Sequence, residues 1–382
     1  MSEKEPGVAV WAMGEMDRLE DVLGEEGLAG RWKVVEVLLG AGDVDGAVDV
    51  LRDVMTLARD EAMLEWQVRG YGEIKRIYET DHRFSDLRQD VLWYSKWIAG
   101  GMAGFADLSE STIEGLLGEM QKMYEREGES PRPVYGERVD TAMLMGRMGE
   151  AEKWFELWEG AVKGESDDCS ACEIDRRLEY WIEKGDLKKA MEVGIPLSQD
   201  KSGCSNTPAT MSRLMAVAMR VGNVELAMHL HGMSCKWVRR SPSMIWAVAP
   251  HIMVMTYTGN LEKSRRLVVS GLFQSKPLRN DAQRFRILRA SAMWAGLAVV
   301  TGMAAAKKSG REVTVPRKCL PGESDDIDGN VGLPEVTAVC LGAAREIAVR
   351  LDARNGNGKY VGRVEEAEGA IRAQAERGKD EG

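Results

Sequence analysis

A six-residue pattern recurs along this 382-residue chain: Gly, a short or polar residue, an apolar residue, two variable positions, then Ala or Ser. It occurs at Gly42-Asp-Val-Asp-Gly-Ala47, Gly146-Arg-Met-Gly-Glu-Ala151, Gly185-Asp-Leu-Lys-Lys-Ala190, Gly222-Asn-Val-Glu-Leu-Ala227 and Gly259-Asn-Leu-Glu-Lys-Ser264. The last four begin 39, 37 and 37 residues apart, and 104 residues separate the first two, close to three units with weaker signatures between. Each position has a mechanical reason. Gly takes the left-handed conformation that ends a helix. The Asp or Asn after it accepts a hydrogen bond from the free N–H groups that open the next helix. The small Ala or Ser lets the second helix approach the first. The pattern therefore predicts stacked two-helix units, an all-α helical-hairpin solenoid.

The flanking segments agree. Leu187, Ala190, Met191 and Gly194 fall on one helical face, as do Met211, Leu214, Met215 and Ala218, and Val224, Ala227, Met228 and His231. No run of alternating strands appears. The turn resembles that of the tetratricopeptide repeat, which reads Gly-Asp-aromatic-x-x-Ala. Here Val44, Leu187, Val224 and Leu261 stand at the aromatic position, and the resemblance covers about 40–275. More narrowly, the stretch from Trp93-Tyr-Ser-Lys-Trp97 through Cys169-Ser-Ala-Cys172 to Leu351-Asp-Ala-Arg-Asn355 is similar to bacterial repeat proteins of this type whose function is uncharacterised. The resemblance implies a tetratricopeptide-like superhelix that holds a protein or peptide partner in its concave groove. It implies no catalytic activity.

The expected organisation is an N-terminal helical cap over 1–40, hairpin repeats over 41–306, an irregular loop over 307–334 and C-terminal helices with a charged tail over 335–382. The Gly, Pro and charge content of 307–334 argues for the loop, and 335–352 returns to helical period as a capping helix. Two charge-free stretches, 241–260 and 290–306, are too polar or too short for a membrane span and read as buried helices. The acidic start is not a signal peptide. Six cysteines are too sparse for a disulfide framework, which places the chain in a reducing cytoplasm.

The net charge of −10 conceals an asymmetry. Residues 236–318 hold sixteen Lys and Arg against three acids, a net +13, so the remainder carries −23. Arg239, Arg240, Arg265, Arg266, Arg284, Arg286 and Arg289 are the candidate partner-binding residues, set at comparable places near consecutive hairpins. An acidic protein or peptide would pair with them. Because Trp237, Trp246, Tyr257 and Trp294 are interleaved, a single-stranded nucleic acid is the alternative partner.

Cys169-Ser-Ala-Cys172 has the separation of a zinc knuckle, and Cys204 lies one hairpin later. Cys169, Cys172, Cys204 and His231 are the candidate ligands of a structural zinc, with Asp175 as another choice for the fourth. A redox pair or plain reduced thiols are the other readings of this motif. Ser324-x-Asp326-x-Asp328-Gly329 with Glu335 partly fits a calcium loop. No phosphate-binding loop, nucleophile elbow or His-Glu-x-x-His occurs, and four histidines offer few general bases. A non-enzymatic scaffold is the expectation.

Overall fold

The structure, a computed structural model, describes residues 6–199, 204–301 and 313–380. Among them are the helices α1 (Pro6–Leu19), α2 (Gly24–Gly40), α3 (Val44–Asp60), α4 (Leu64–Thr80), α5 (Arg88–Gly101), α6 (Glu110–Arg126), α7 (Arg132–Leu144), α8 (Met148–Gly160) and α9 (Ser170–Glu183). They continue with α10 (Leu187–Gly194), α11 (Thr207–Arg220), α12 (Val224–Val238), α13 (Val248–Tyr257), α14 (Leu261–Ser275), α15 (Asp281–Val300), α16 (Leu333–Asn355) and α17 (Lys359–Asp380). Consecutive helices pack in pairs, and the fold is an all-α helical-hairpin solenoid. The chain forms two compact units. The first comprises Met1–Gly101, Gly115–Val134 and Val162–Ser166, and the second Met102–Glu114, Tyr135–Ala161 and Asp167–Gly382.

All five repeat glycines sit at bends between paired helices, with φ between 72° and 80°. At each bend the residue after the glycine donates its N–H to the carbonyl five residues back, over 2.8–3.0 Å: Asp43 to Leu38, Arg147 to Ala142, Asp186 to Trp181, Asn223 to Ala218 and Asn260 to Met255. This bond closes the C-terminus of the first helix, and it requires the left-handed residue. Asp43, Asp186 and Asn223 then cap the second helix through their side chains, accepting from Gly46 N at 3.4 Å, Lys189 N at 3.0 Å and Leu226 N at 3.1 Å. Asn260 does not; its Nδ2 turns back to Thr258 Oγ1 at 3.0 Å. The small residue of the pattern is fully buried in every repeat, at Ala47, Ala151, Ala190, Ala227 and Ser264. Bends of the same kind that lack the six-residue pattern follow α3, at Ala62 (φ 57°), and α6, at Gly128 (φ 63°).

The core of the first unit includes Leu28, Val54, Ala58 and Trp66, with Trp32 against it. In the second unit Val139, Ala142, Ala151, Phe155, Trp158 and Tyr180 form a cluster in which the Phe155 and Tyr180 rings stack 3.8 Å apart. The charge-free stretch from 290 onward is the buried half of α15, and no helix among the described residues is long and apolar enough to cross a membrane. The described part of 307–334 is not wholly irregular. Thr314–Pro316 (β1) pairs antiparallel with Asn330–Gly332 (β2), a short ribbon that the Gly and Pro content concealed. The acids of the suggested calcium loop do not gather among the described residues: Asp326 and Asp328 belong to no group of possible metal ligands, and Glu335 pairs with Arg317 at 2.9 Å.

The C-terminal helices pack on α15, and the bend before α17 also closes the end of α7. Asn357 Nδ2 donates to Met145 O at 2.7 Å, Tyr360 OH to Leu144 O at 2.9 Å, and Lys359 Nζ to Met143 O. Those carbonyls lie at the end of α7, where the helix itself no longer supplies a full set of N–H partners. Asp352 of α16 in turn receives the N–H groups of Tyr360 and Val361 at 3.0 and 2.8 Å, capping α17. Glu183 at the end of α9 binds Lys359 at 2.8 Å and Arg363 at 2.5 Å. Burial alone would push the Glu183 carboxyl up, but these two cations outweigh it and hold it down at about 2.

Nothing lies within 4 Å of a Cβ added at Gly185, so Gly185→Ala tests the left-handed turn alone. It should lower the unfolding free energy by about 1 kcal/mol, while Ala62→Gly, which relieves the same strain, should raise it. Urea midpoints check both, and an unmoved Gly185→Ala midpoint would count against the turn. Because Glu183 has a depressed pKa, its contribution is present above its unfolded value near 4.5 and is lost as pH falls toward 2. Wild type should lose about 3 kcal/mol more than Glu183→Gln between pH 5 and pH 2, read from urea unfolding across that range.

Candidate functional site

Helix α9 is the electrostatic axis of the second unit. Asp175, Glu179 and Glu183 follow one another at four-residue spacing, which puts three carboxylates on one face. Each meets cations from other helices. Arg213 of α11 reaches Glu179 at 2.6 Å and Asp175 at 3.1 Å, and Arg286 of α15 reaches Glu179 at 3.3 Å. Both guanidiniums lie over the Trp246 ring, 4.2 and 4.9 Å from its centroid. Beside them Arg176 binds Asp140 of α7 at 2.9 Å, Asp168 at 2.8 Å and Glu137 at 3.2 Å. Glu179, Arg286 and Arg363 keep 20%, 25% and 26% of their side-chain surface open, so this layer is shielded but still touches water. The spacing of 175, 179 and 183 is visible in the sequence. Spacing alone does not mark these three, because carboxylates at four-residue intervals are also usual on solvated helix faces.

The candidate partner-binding arginines differ in what they touch. Arg286 is engaged with Glu179, and Arg265 donates to the Thr314 carbonyl at 2.6 Å. Arg266 meets Glu262 at 3.4 Å on the surface, and Arg284 lines a small recess with Leu272, Lys276 and Pro321. Arg289 is half-buried, has neither a hydrogen bond nor an ion pair among the described residues, and its Nε is fully enclosed. Burial, with Arg363 and Arg286 adding to it, outweighs the nearby Glu366 and pulls its guanidinium down to about 10, still charged at neutral pH. Arg239 and Arg240, at the end of α12, are exposed and unpaired among the described residues, as is Lys236. Trp237 stands among them with 66% of its surface in water.

Of the four candidate metal ligands, the structure brings three together. The sulfurs of Cys169, Cys172 and Cys204 all lie within 4.8 Å of one another, and Cys172 Sγ is 3.7 Å from Cys204 Sγ. Cys169 is the N-cap of α9, Cys172 lies in its first turn, and Cys204 precedes α11. The two helices are neighbours, so their N-terminal ends meet. Cys169 is exposed, and the other two are partly buried. Burial pushes the Cys172 and Cys204 thiols up. At Cys169 burial also raises the thiol, but N–H groups of Cys172 and Ala171 at the helix start and the neighbouring thiols outweigh it, and the net direction is down.

His231 is not the fourth member. It sits two turns into α12, and its Nδ1 faces Nδ1 of His251 in α13 at 2.9 Å. Cys235, one turn further along α12, completes a separate group of possible ligands. Nε2 of His251 faces Ser212 Oγ at 3.0 Å. Burial, helped by His231, pushes His251 down to about 3, and burial and Lys263 lower His231, so both rings are neutral at pH 7. One ring donates and the other accepts, which satisfies the pair as it stands. Asp175, the other choice for a fourth ligand, is engaged with Arg213.

No protein-family model matches the chain, and no curated protein is similar enough to count as a relative. Among solved structures, a circular tandem repeat protein with novel repeat topology and enhanced subunit contact surfaces is similar over 93% of this chain and 78% of its own, at 15% identity and a TM-score of 0.22.

Proposed function

We propose that this chain is a non-enzymatic repeat scaffold of tetratricopeptide type, working in a reducing cytoplasm, that binds an acidic segment of a protein partner. The observation that carries the reading is the end of α12, where Trp237 is two-thirds exposed among Lys236, Arg239 and Arg240 and none of the three cations is paired among the described residues. An exposed tryptophan is costly in water, and Trp with Arg is the pairing that dominates the energetics of protein interfaces. Here the ring supplies apolar area, and the cations supply charge-assisted hydrogen bonds to carboxylates.

A nucleic acid would use the same chemistry, but it needs a run of free cations along its backbone. Arg265, Arg266 and Arg286 each already have a partner within the protein, which favours the peptide.

Titration of the full chain with a Glu-rich peptide and with a single-stranded oligonucleotide of equal charge, followed by tryptophan fluorescence, tests the assignment. The peptide should bind more tightly. The triple variant Trp237→Ser, Arg239→Glu, Arg240→Glu should weaken it about 30-fold or more. Equal peptide affinity in wild type and variant, or tighter binding of the oligonucleotide with a steep salt dependence, would overturn it.

A further inference from the structure

We infer that Cys169, Cys172 and Cys204 form a zinc site with three protein thiolates and one coordination position left to solvent. Two sulfurs bound to one tetrahedral zinc at about 2.3 Å stand about 3.8 Å apart. The Cys172 and Cys204 sulfurs are already at 3.7 Å, and the Cys169 sulfur lies within 4.8 Å of both. The spacing therefore suits the ion with little movement.

The setting suits it as well. Binding replaces three thiol protons, which leave to solvent, so the zinc with its three thiolates carries one net negative charge. That charge falls at the N-terminal end of α9, where Cys169 is the N-cap and the free N–H groups of the first turn favour an anion. Asp168 is not available to close the coordination, because it is held by Arg176 at 2.8 Å. Cys169 is exposed, so water reaches the fourth position. A site of this composition retains an exchangeable ligand, unlike a closed four-residue structural centre. Mechanically, the ion ties the start of α9 to the segment that enters α11, the same two helices that Arg213 joins through Asp175 and Glu179. Metal binding is thus coupled to the packing of neighbouring hairpins.

The test uses the full chain, reduced, loaded with zinc(II) and freed of excess metal, with metal content measured by mass spectrometry. Wild type should retain one equivalent. Cys172→Ser and Cys204→Ser should each retain less than about 0.2 equivalents, and the exposed variant Cys169→Ser, whose folding is least at risk, should lose zinc to a chelator faster than wild type. The double variant His231→Ala, His251→Ala should keep the full equivalent. Cobalt(II) in place of zinc should give the intense thiolate charge-transfer absorption of a tetrahedral site. Wild type below about 0.2 equivalents would overturn the assignment, as would retention in all three Cys variants. Loss in the His variant with retention in the Cys variants would place the ion at the other group and equally overturn it. Circular dichroism of each variant separates loss of the ligand from loss of the fold.

Discussion

The fold depends on one backbone hydrogen bond, repeated. A residue in the left-handed region lets the next N–H reach back to the carbonyl five positions earlier, and the chain leaves one helix and enters another within three residues. The geometry fixes the angle between paired helices before any side chain packs, so the residue four positions into the second helix always faces the first. That position is occupied by Ala or Ser in all five repeats and is fully buried in each. Bulk there would push the helices apart. The turn and the small residue are therefore two halves of one constraint.

The second unit then places an unusual amount of charge inside its helical layer. Removing charges from water is expensive unless each has a close counter-charge and hydrogen bonds. The arrangement on α9 meets that condition by sharing: Glu179 serves Arg213 and Arg286, and Glu183 serves Lys359 and Arg363. Each carboxylate links helices distant in sequence, which apolar contacts alone would not specify. Oily surfaces tolerate sliding, whereas a guanidinium aligned on a carboxylate fixes register. Measured against well-packed apolar side chains of the same size such pairs add little, but once formed they are costly to break, and they favour one packing over its competitors.

Much of the fold was legible because its cues are local. Gly185, Gly222 and Gly259 announce bends through their own conformational freedom, and Asp43, Asp186 and Asn223 announce caps through their own oxygens. The bend at Ala62 carried no such cue, since alanine reads as a helix former and is there under strain. The ribbon of β1 and β2 was hidden by its Gly and Pro content. For the candidate site, Cys-x-x-Cys is a local pair legible by spacing, and the structure places Cys204, one hairpin on, beside it. Helical period puts His231 on the apolar face of α12, but which neighbour it meets depends on where α13 crosses, and no spacing rule carries that. The arginines show the same limit. Charge along the chain says how many cations there are, and only tertiary structure says which are already used.

The anchoring of Asn357, Lys359 and Tyr360 on the last carbonyls of α7 has a consequence for how the second unit comes apart. Linear arrays of hairpins fray, since an outermost repeat has a neighbour on one side only and melts first. Here the final helix is fastened to the opening hairpin of the same unit, so neither end is outermost in the energetic sense. Such a unit loses its loose terminus and with it the low-energy route of stepwise unzipping, and it melts as one cooperative body.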